Sequence, residues 1–391
     1  MILTSRGGDD DPIAPWSALI RWAWSASFQV DFSEGTQDLS SDNRWLRSAR
    51  LELAYFSGRT LTASRTASGA GAVLRFERVR PRRNGAFQPL KQAEITPAFL
   101  DKVIRALKRW GYDIVSLDEA CDRSVRLAQS RRFACITFDG AAKDLITHGY
   151  PVLARHGVPF TVYVPSAFPD GLGEAWWLAL EAVIAREVRI SLVIDHREQR
   201  FNVFTRAEKY ELFAYLANWL RKLPPAELSV AIRDLCSRHS VDLVTLTREA
   251  SMDWADIARL AADPKVTIGS ATVHHHLLAN LRDAEAQREI AMGKAVLETA
   301  LRRPVRHMAY PFGDRDSFRR SDVVLAEQAG FVSAASAIGG VVQSEGRTSL
   351  HMLPRIAWDG RSRSLRALKV LMAGVTLPRE KSAPRPTLDL R

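Results

Sequence analysis

Residues Phe133 to Val164 read FACITFDGAAKDLITHGYPVLARHGVPFTVYV. Phe133–Phe138 is an apolar run of strand length, Leu145–His156 suits a helix, and Phe160–Val164 is a second run rich in β-branched and aromatic residues. Strand, helix and strand in that order predict two parallel strands joined by a right-handed crossover. The same alternation extends on both sides. Upstream, Ala72–Phe76 and Asp113–Val115 read as strands. Between them, Thr96-Pro97 supplies an N-cap and a first-turn proline. Phe99, Val103 and Leu107 then recur at helical spacing, and Gly111 closes the helix. Downstream, strands are expected at Val266–Gly269, Arg306–Tyr310, Phe331–Ala334 and Pro354–Trp358, with helices at Leu281–Leu301, Phe318–Gln328 and Leu365–Met372.

The alternation is interrupted over residues 174–262, where the pattern is largely helical and reads as an insertion between barrel units. Residues 1–65 form an N-terminal appendage, expected to be partly disordered, with Trp16, Trp22 and Trp24 and a helix near Arg47–Tyr55. Gly58–Gly71 is rich in Ser, Thr, Ala and Gly and reads as a linker. The barrel is expected to span 66–376, and 377–391 to be a disordered tail.

The chain has 391 residues, 46% of them hydrophobic, enough for a large core without staples. Its three cysteines, Cys121, Cys135 and Cys236, lie far apart and form neither a disulfide framework nor a CxxC metal knuckle. No apolar run is long enough to predict a transmembrane helix, and Asp9, Asp10 and Asp11 stand where a secretory leader is basic. These features predict a cytoplasmic protein. The net charge of +11 rests on 45 Arg and 10 Lys, which are scattered rather than gathered into a tract. Nucleic-acid binding is therefore not expected.

In barrels of alternating strands and helices, functional groups gather at the C-terminal ends of strands. Four such ends carry notable residues: Glu77, Asp139, the run His274-His275-His276, and Tyr310-Pro311-Phe312-Gly313-Asp314. Read alone, Asp139 is a turn residue or helix cap as readily as a catalytic carboxylate. Adjacent imidazoles point in different directions, so at most two of the three face one site.

Order and wording together say more. Thr137 to Val164 resembles the first motif of the NodB-type polysaccharide deacetylases, carbohydrate esterase family four. Ile268–Leu281 (IGSATVHHHLLANL) resembles the second motif, and His307–Gly313 (HMAYPFG) the third. Glu94–Ala120, Trp176-Trp177-Leu178 and Leu353–Gly360 (LPRIAWDG) read like the bacterial branch of that family. The resemblance spans Gly71 to Met372. It implies an α/β fold, a distorted, incomplete (β/α)7 barrel, here with a helical insertion. It also implies a divalent metal, commonly zinc, and an N-acetylated oligo- or polysaccharide as the partner. In the family a metal polarises the amide and acidifies a water, and a carboxylate takes the proton.

Carried over by position, Asp139 falls on the base and His275 on the second histidine ligand. The ligand aspartate position is Gly140 and the first histidine position is Ala271. Catalytic zinc usually has three protein ligands, and neither glycine nor alanine offers a donor. Glu77 stands where relatives typically show histidine, and Ala309 where the third motif has arginine. Two readings follow. In one, the chain keeps the barrel and the sugar groove, lost hydrolysis, and acts as a glycan-binding or partner protein in envelope or exopolysaccharide metabolism. Trp254, Tyr310, Pro311, Phe312 and Trp358 are then the candidates for contact with sugar. In the other, Glu77, Asp139 and His275 converge on a rebuilt metal site, assisted by His274 or His276, in an active deacetylase.

Overall fold

The computed structural model describes residues 51–56, 69–126, 131–194, 197–357 and 364–374. Its strands are β1 (Gly71–Phe76), the two-residue pair β2 (Arg78–Val79) and β3 (Glu94–Ile95), β4 (Asp113–Val115), β5 (Phe133–Asp139), β6 (Phe160–Val164), β7 (Arg189–Ile194), β8 (Arg197–Asn202), β9 (Val266–Ser270), β10 (His307–Ala309), β11 (Ser333–Ala335) and β12 (Ile356–Ala357). One parallel sheet runs β11-β10-β9-β6-β5-β1-β12, with β4 beside the start of β5. It curls into a half-barrel with helices around it. The segment leading into β12 draws the two ends together: Leu353 bridges Ala335 of β11, and Ile356 pairs with Leu74 of β1.

The period of two along each strand divides its residues between two cores. Leu74, Ile136, Val162, Ile268 and Met308 face outward and pack under the helices. Val73, Cys135, Tyr163, Ala271, Ala309 and Ala335 face the barrel axis. The inward set includes the small residues Ala271, Ala309 and Ala335, and this narrow interior has room for one large side chain from elsewhere. Arg355 fills it and is fully buried.

The helices begin and end where their caps require. Thr96 Oγ1 accepts the Phe99 N–H at 3.2 Å, and Pro97 occupies the first turn of Pro97–Arg109. The helix Asp283–Leu301 starts two residues later than expected because Leu278–Asn280 forms a separate turn. This long helix passes very close to the loop after β9. A Cβ on Gly293 would lie 2.6 Å from the Thr272 carbonyl carbon, so only glycine permits the approach.

Residues 174–262 differ from a purely helical insertion. Four helices follow Trp176–Arg186, but β7 and β8 form an antiparallel hairpin between the first and second of the five. Arg189–Ile194 alternates exposed and covered residues, the half-buried strand pattern. Leu180, Leu192, Leu216, Ile232 and Leu235 join in a core separate from the barrel's. Arg221 ties this unit to the barrel through a buried ion pair with Asp314. From the N-terminal appendage, residues 51–56 are helical and set Leu51 and Ala54 on the barrel core, while Glu52 pairs with Arg366 at 2.6 Å. The remaining expectations for residues 1–65, for 377–391 and for Trp358 lie outside the described residues. Among the described residues no helix is long and apolar enough to cross a membrane.

Candidate functional site

The sheet opens at the C-terminal ends of β1, β5, β9 and β10 onto a cavity of about 160 Å³ beneath the insertion. Its lining includes Arg75, Glu77, Asp139, Gly140, His275 and Phe312 from the barrel. Trp176, Trp177 and Arg221 come from the insertion, and Phe168 from the loop after β6. Non-glycine residues in the left-handed region gather around this mouth: Ala141, Thr272, His275 and Phe312 have φ of 49°, 66°, 62° and 61°. A bulky residue such as Phe312 holds that conformation only when its surroundings over-determine it. Here Trp176 and His275 pack on its ring, and the Arg221 guanidinium lies 5.3 Å from its centre.

At the floor, Asp139 is held by two arginines. Arg355 donates from Nη1 to Oδ1 at 2.7 Å and from Nη2 to Oδ2 at 2.9 Å, while Arg75 Nε donates to Oδ2 at 2.6 Å. Arg355 is itself fixed, donating from Nε to the Ser336 carbonyl at 2.6 Å. Arg75 also donates to Glu77 Oε1 at 2.7 Å. Burial pushes the Asp139 carboxyl upward, but the two guanidinium groups outweigh it and bring its pKa down to about 2. Glu77 is shifted the other way: burial raises its pKa and Arg75 opposes the rise.

At the wall, His275 sits among rings, its imidazole centre 6.5 Å from Phe168, 6.0 Å from Trp177 and 5.3 Å from Phe312. Burial lowers its pKa to about 4, so it is neutral at pH 7. Its Nδ1 is buried without a hydrogen-bond partner. That atom is a competent metal donor, but the positions around it are not. Gly140 offers no side chain, and Ala271 offers a methyl group that is 1% exposed. The residues present therefore do not fit the three-ligand metal site that the sequence resemblance implies.

Nor do the side chains assemble a replacement. Among the described residues, the one group of three potential ligands with donor atoms within 4.8 Å of one another is His274, His276 and Glu289. Glu77, Asp139 and His275 are not such a group, and Arg75 bonds both carboxylates while Arg355 also holds Asp139.

Other expected contacts are also corrected. Tyr310 is 1% exposed, stacks on Phe318 at 4.1 Å and donates its hydroxyl to the His351 carbonyl at 2.7 Å, so it belongs to the outer core. Strand parity explains this: Tyr310 follows Met308 on the outward face. Pro311 is buried and does not line the cavity. Trp254 opens the helix Trp254–Ala261, donates its indole N–H to Asp170 at 2.6 Å, and is not among the residues that line the cavity. Phe312 alone of these lines the cavity. Sequence reading missed Arg75, Arg355 and Arg221 as parts of the site. The signal was a charged residue inside a buried strand (GAVLRF) or strand entry (LPRIA), which demands a partner.

Residues 237–332 match the family model described as polysaccharide deacetylase. Among solved structures, the chain is similar to the Streptococcus pyogenes deacetylase PplD in complex with acetate. Identity is 13%, covering 78% of this chain and 98% of that one, with a TM-score of 0.50. It is also similar to IcaB from Ammonifex degensii at 16% identity, covering 78% and 98% of the two chains, again with a TM-score of 0.50. At these identities the likeness is one of fold. No curated protein sequence matches the chain.

Proposed function

We propose that this chain, a member of the polysaccharide deacetylase family, binds N-acetylated oligo- or polysaccharide at its barrel mouth without hydrolysing it. One observation carries the reading: of the three metal-ligand positions only His275 has a donor atom, and no described side chain supplies the other two. Without the metal, the amide carbonyl is not polarised and no water is acidified. The group at the base position is also poorly matched. A carboxylate whose pKa is about 2 takes a proton weakly at neutral pH. Its hydrogen-bonding capacity is already committed to guanidinium groups.

The mouth retains what sugar binding needs. Trp177, Phe168 and Phe312 give flat apolar surface, and Arg75, Glu77 and Arg78 give polar groups at one end. Aromatic faces with a few placed polar groups are the usual make-up of a small-molecule site.

The test pairs binding with turnover. Chitooligosaccharides should quench the indole fluorescence of the mouth saturably, and Trp177→Ala should weaken binding at least tenfold. No acetate should appear with zinc, cobalt or nickel added. Acetate release by the unmodified protein overturns the reading. The double variant Gly140→Asp/Ala271→His is the positive control. A Cβ at residue 140 meets nothing within 4 Å, although φ of 88° makes any side chain there strained.

A further inference from the structure

The three histidines part company in the fold. Of the three only His275 lines the barrel mouth, while all three border a second, smaller cleft between the β9 loop and the insertion. That cleft measures about 20 Å³ and is also lined by Glu174. The rings of His274 and His276 stack with centres 5.3 Å apart and planes at 16°, so both present edges to the same space. The left-handed backbone of His275 between them, φ 62°, makes this possible.

The third group arrives from the long helix. Gly293 lets Asp283–Leu301 lie against Thr272, and Glu289, one turn earlier on the same face, reaches the loop. Glu289 Oε2 accepts the backbone N–H groups of Val273 at 3.1 Å and His274 at 3.0 Å. Oε1 meets His274 Nδ1 at 2.6 Å. One oxygen of the carboxylate is thus anchored by backbone and the other is presented to the imidazoles, the supporting arrangement that orients metal ligands.

We infer that His274, His276 and Glu289 form a site for a divalent transition metal of the zinc class, on the rim and apart from the family's metal position. Their donor atoms lie within 4.8 Å of one another. Tetrahedral zinc at about 2.0–2.1 Å from nitrogen and oxygen needs donors roughly 3.3 Å apart. Rotation of the exposed His274 ring covers the difference, and the metal replaces the hydrogen bond between His274 and Glu289. Two imidazoles and one carboxylate favour zinc, cobalt or nickel over magnesium or calcium. The fourth position is left to water, since Glu174 is engaged by Arg233 at 2.6 Å. Loaded, the metal clips the β9 loop to the helix Asp283–Leu301. The inference stands independently of the glycan reading.

The experiment uses the full, tag-free chain, stripped with chelator and dialysed against zinc, with bound metal counted by mass spectrometry. One zinc per chain is expected. His276→Ala and Glu289→Gln should each weaken binding at least tenfold, and His275→Ala should leave the stoichiometry unchanged. Cobalt added to the unmodified chain should give the intense visible absorption of a tetrahedral site, which checks the geometry without any variant. Absence of stoichiometric zinc in the unmodified chain overturns the inference. So does zinc that is lost in His275→Ala but kept in His276→Ala, or a weak octahedral cobalt spectrum.

Discussion

Two carboxylates near the same end of the barrel have opposite fates. Asp139, at the end of β5, is enclosed and gripped by Arg355 and Arg75; its side chain is 8% exposed and that of Arg355 is fully buried. Glu289 stands at the rim beside His274 and His276, with His274 about half exposed. The partners decide what each can do. A guanidinium keeps its charge and has no lone pair, so it neutralises a carboxylate and holds it. An imidazole has a lone pair to give, so a carboxylate beside two of them is a metal-ligand set. The position that the sequence resemblance assigns to chemistry holds a buried ion pair, and the three potential metal donors gather at the rim instead.

The comparison can be broken most forcefully at Asp139. Asp139→Asn leaves Arg355 buried without its counter-charge and should destabilise the fold by about 3–5 kcal/mol in chemical denaturation. Loss below 1 kcal/mol would show that the pair is not structural. Arg221→Met breaks the other buried pair, with Asp314, and should cost about 3 kcal/mol. Faster amide exchange in residues 206–250 than in the barrel strands would locate the loss in the insertion.

Acid offers a milder probe of the same contrast. The Asp139 pKa is depressed in the fold, so its contribution is complete above the unfolded value near 3.8 and is lost as pH falls toward 2. Roughly 2 kcal/mol should disappear across that window. The Asp139→Asn variant should lack this component, and an identical acid profile in the two proteins would contradict the assignment.

At the rim the effects should be smaller. Gly293→Ala gains about 1 kcal/mol of helix propensity, but its methyl meets the Thr272 backbone, a clash worth about 1–3 kcal/mol. The net should be a modest loss, with reduced protection of the Val273 and His274 amides. His274→Ala removes a half-exposed pair and should change stability by under about 1 kcal/mol. A loss as large as that at Asp139 would erase the distinction between the two regions.

Much of the barrel was legible. Asp113–Val115, Phe160–Val164 and Leu365–Met372 fall where the local pattern puts them. The hairpin β7–β8 was not, since its alternating run sits among amphipathic helices. At the site, the division of the histidine run was foreseen in kind, as neighbours diverge along a chain. Tyr310 belongs to the outer core and not to the groove, because aromatic character near a strand end does not reveal which face it serves. Arg355 lies within a family-like stretch, yet 216 residues separate it from Asp139, and nothing local ties the two.

Local pattern thus specified the order of strands and helices, the parallel pairing and the absence of donors at 140 and 271, all properties of single residues or short windows. The pairing of Asp139 with Arg355 and Arg75, the capture of Glu289 by the β9 loop and the roofing of the mouth by the insertion were decided only in three dimensions. Charges act through space across tens to hundreds of residues, and curling the sheet brings the ends of distant strands to one mouth.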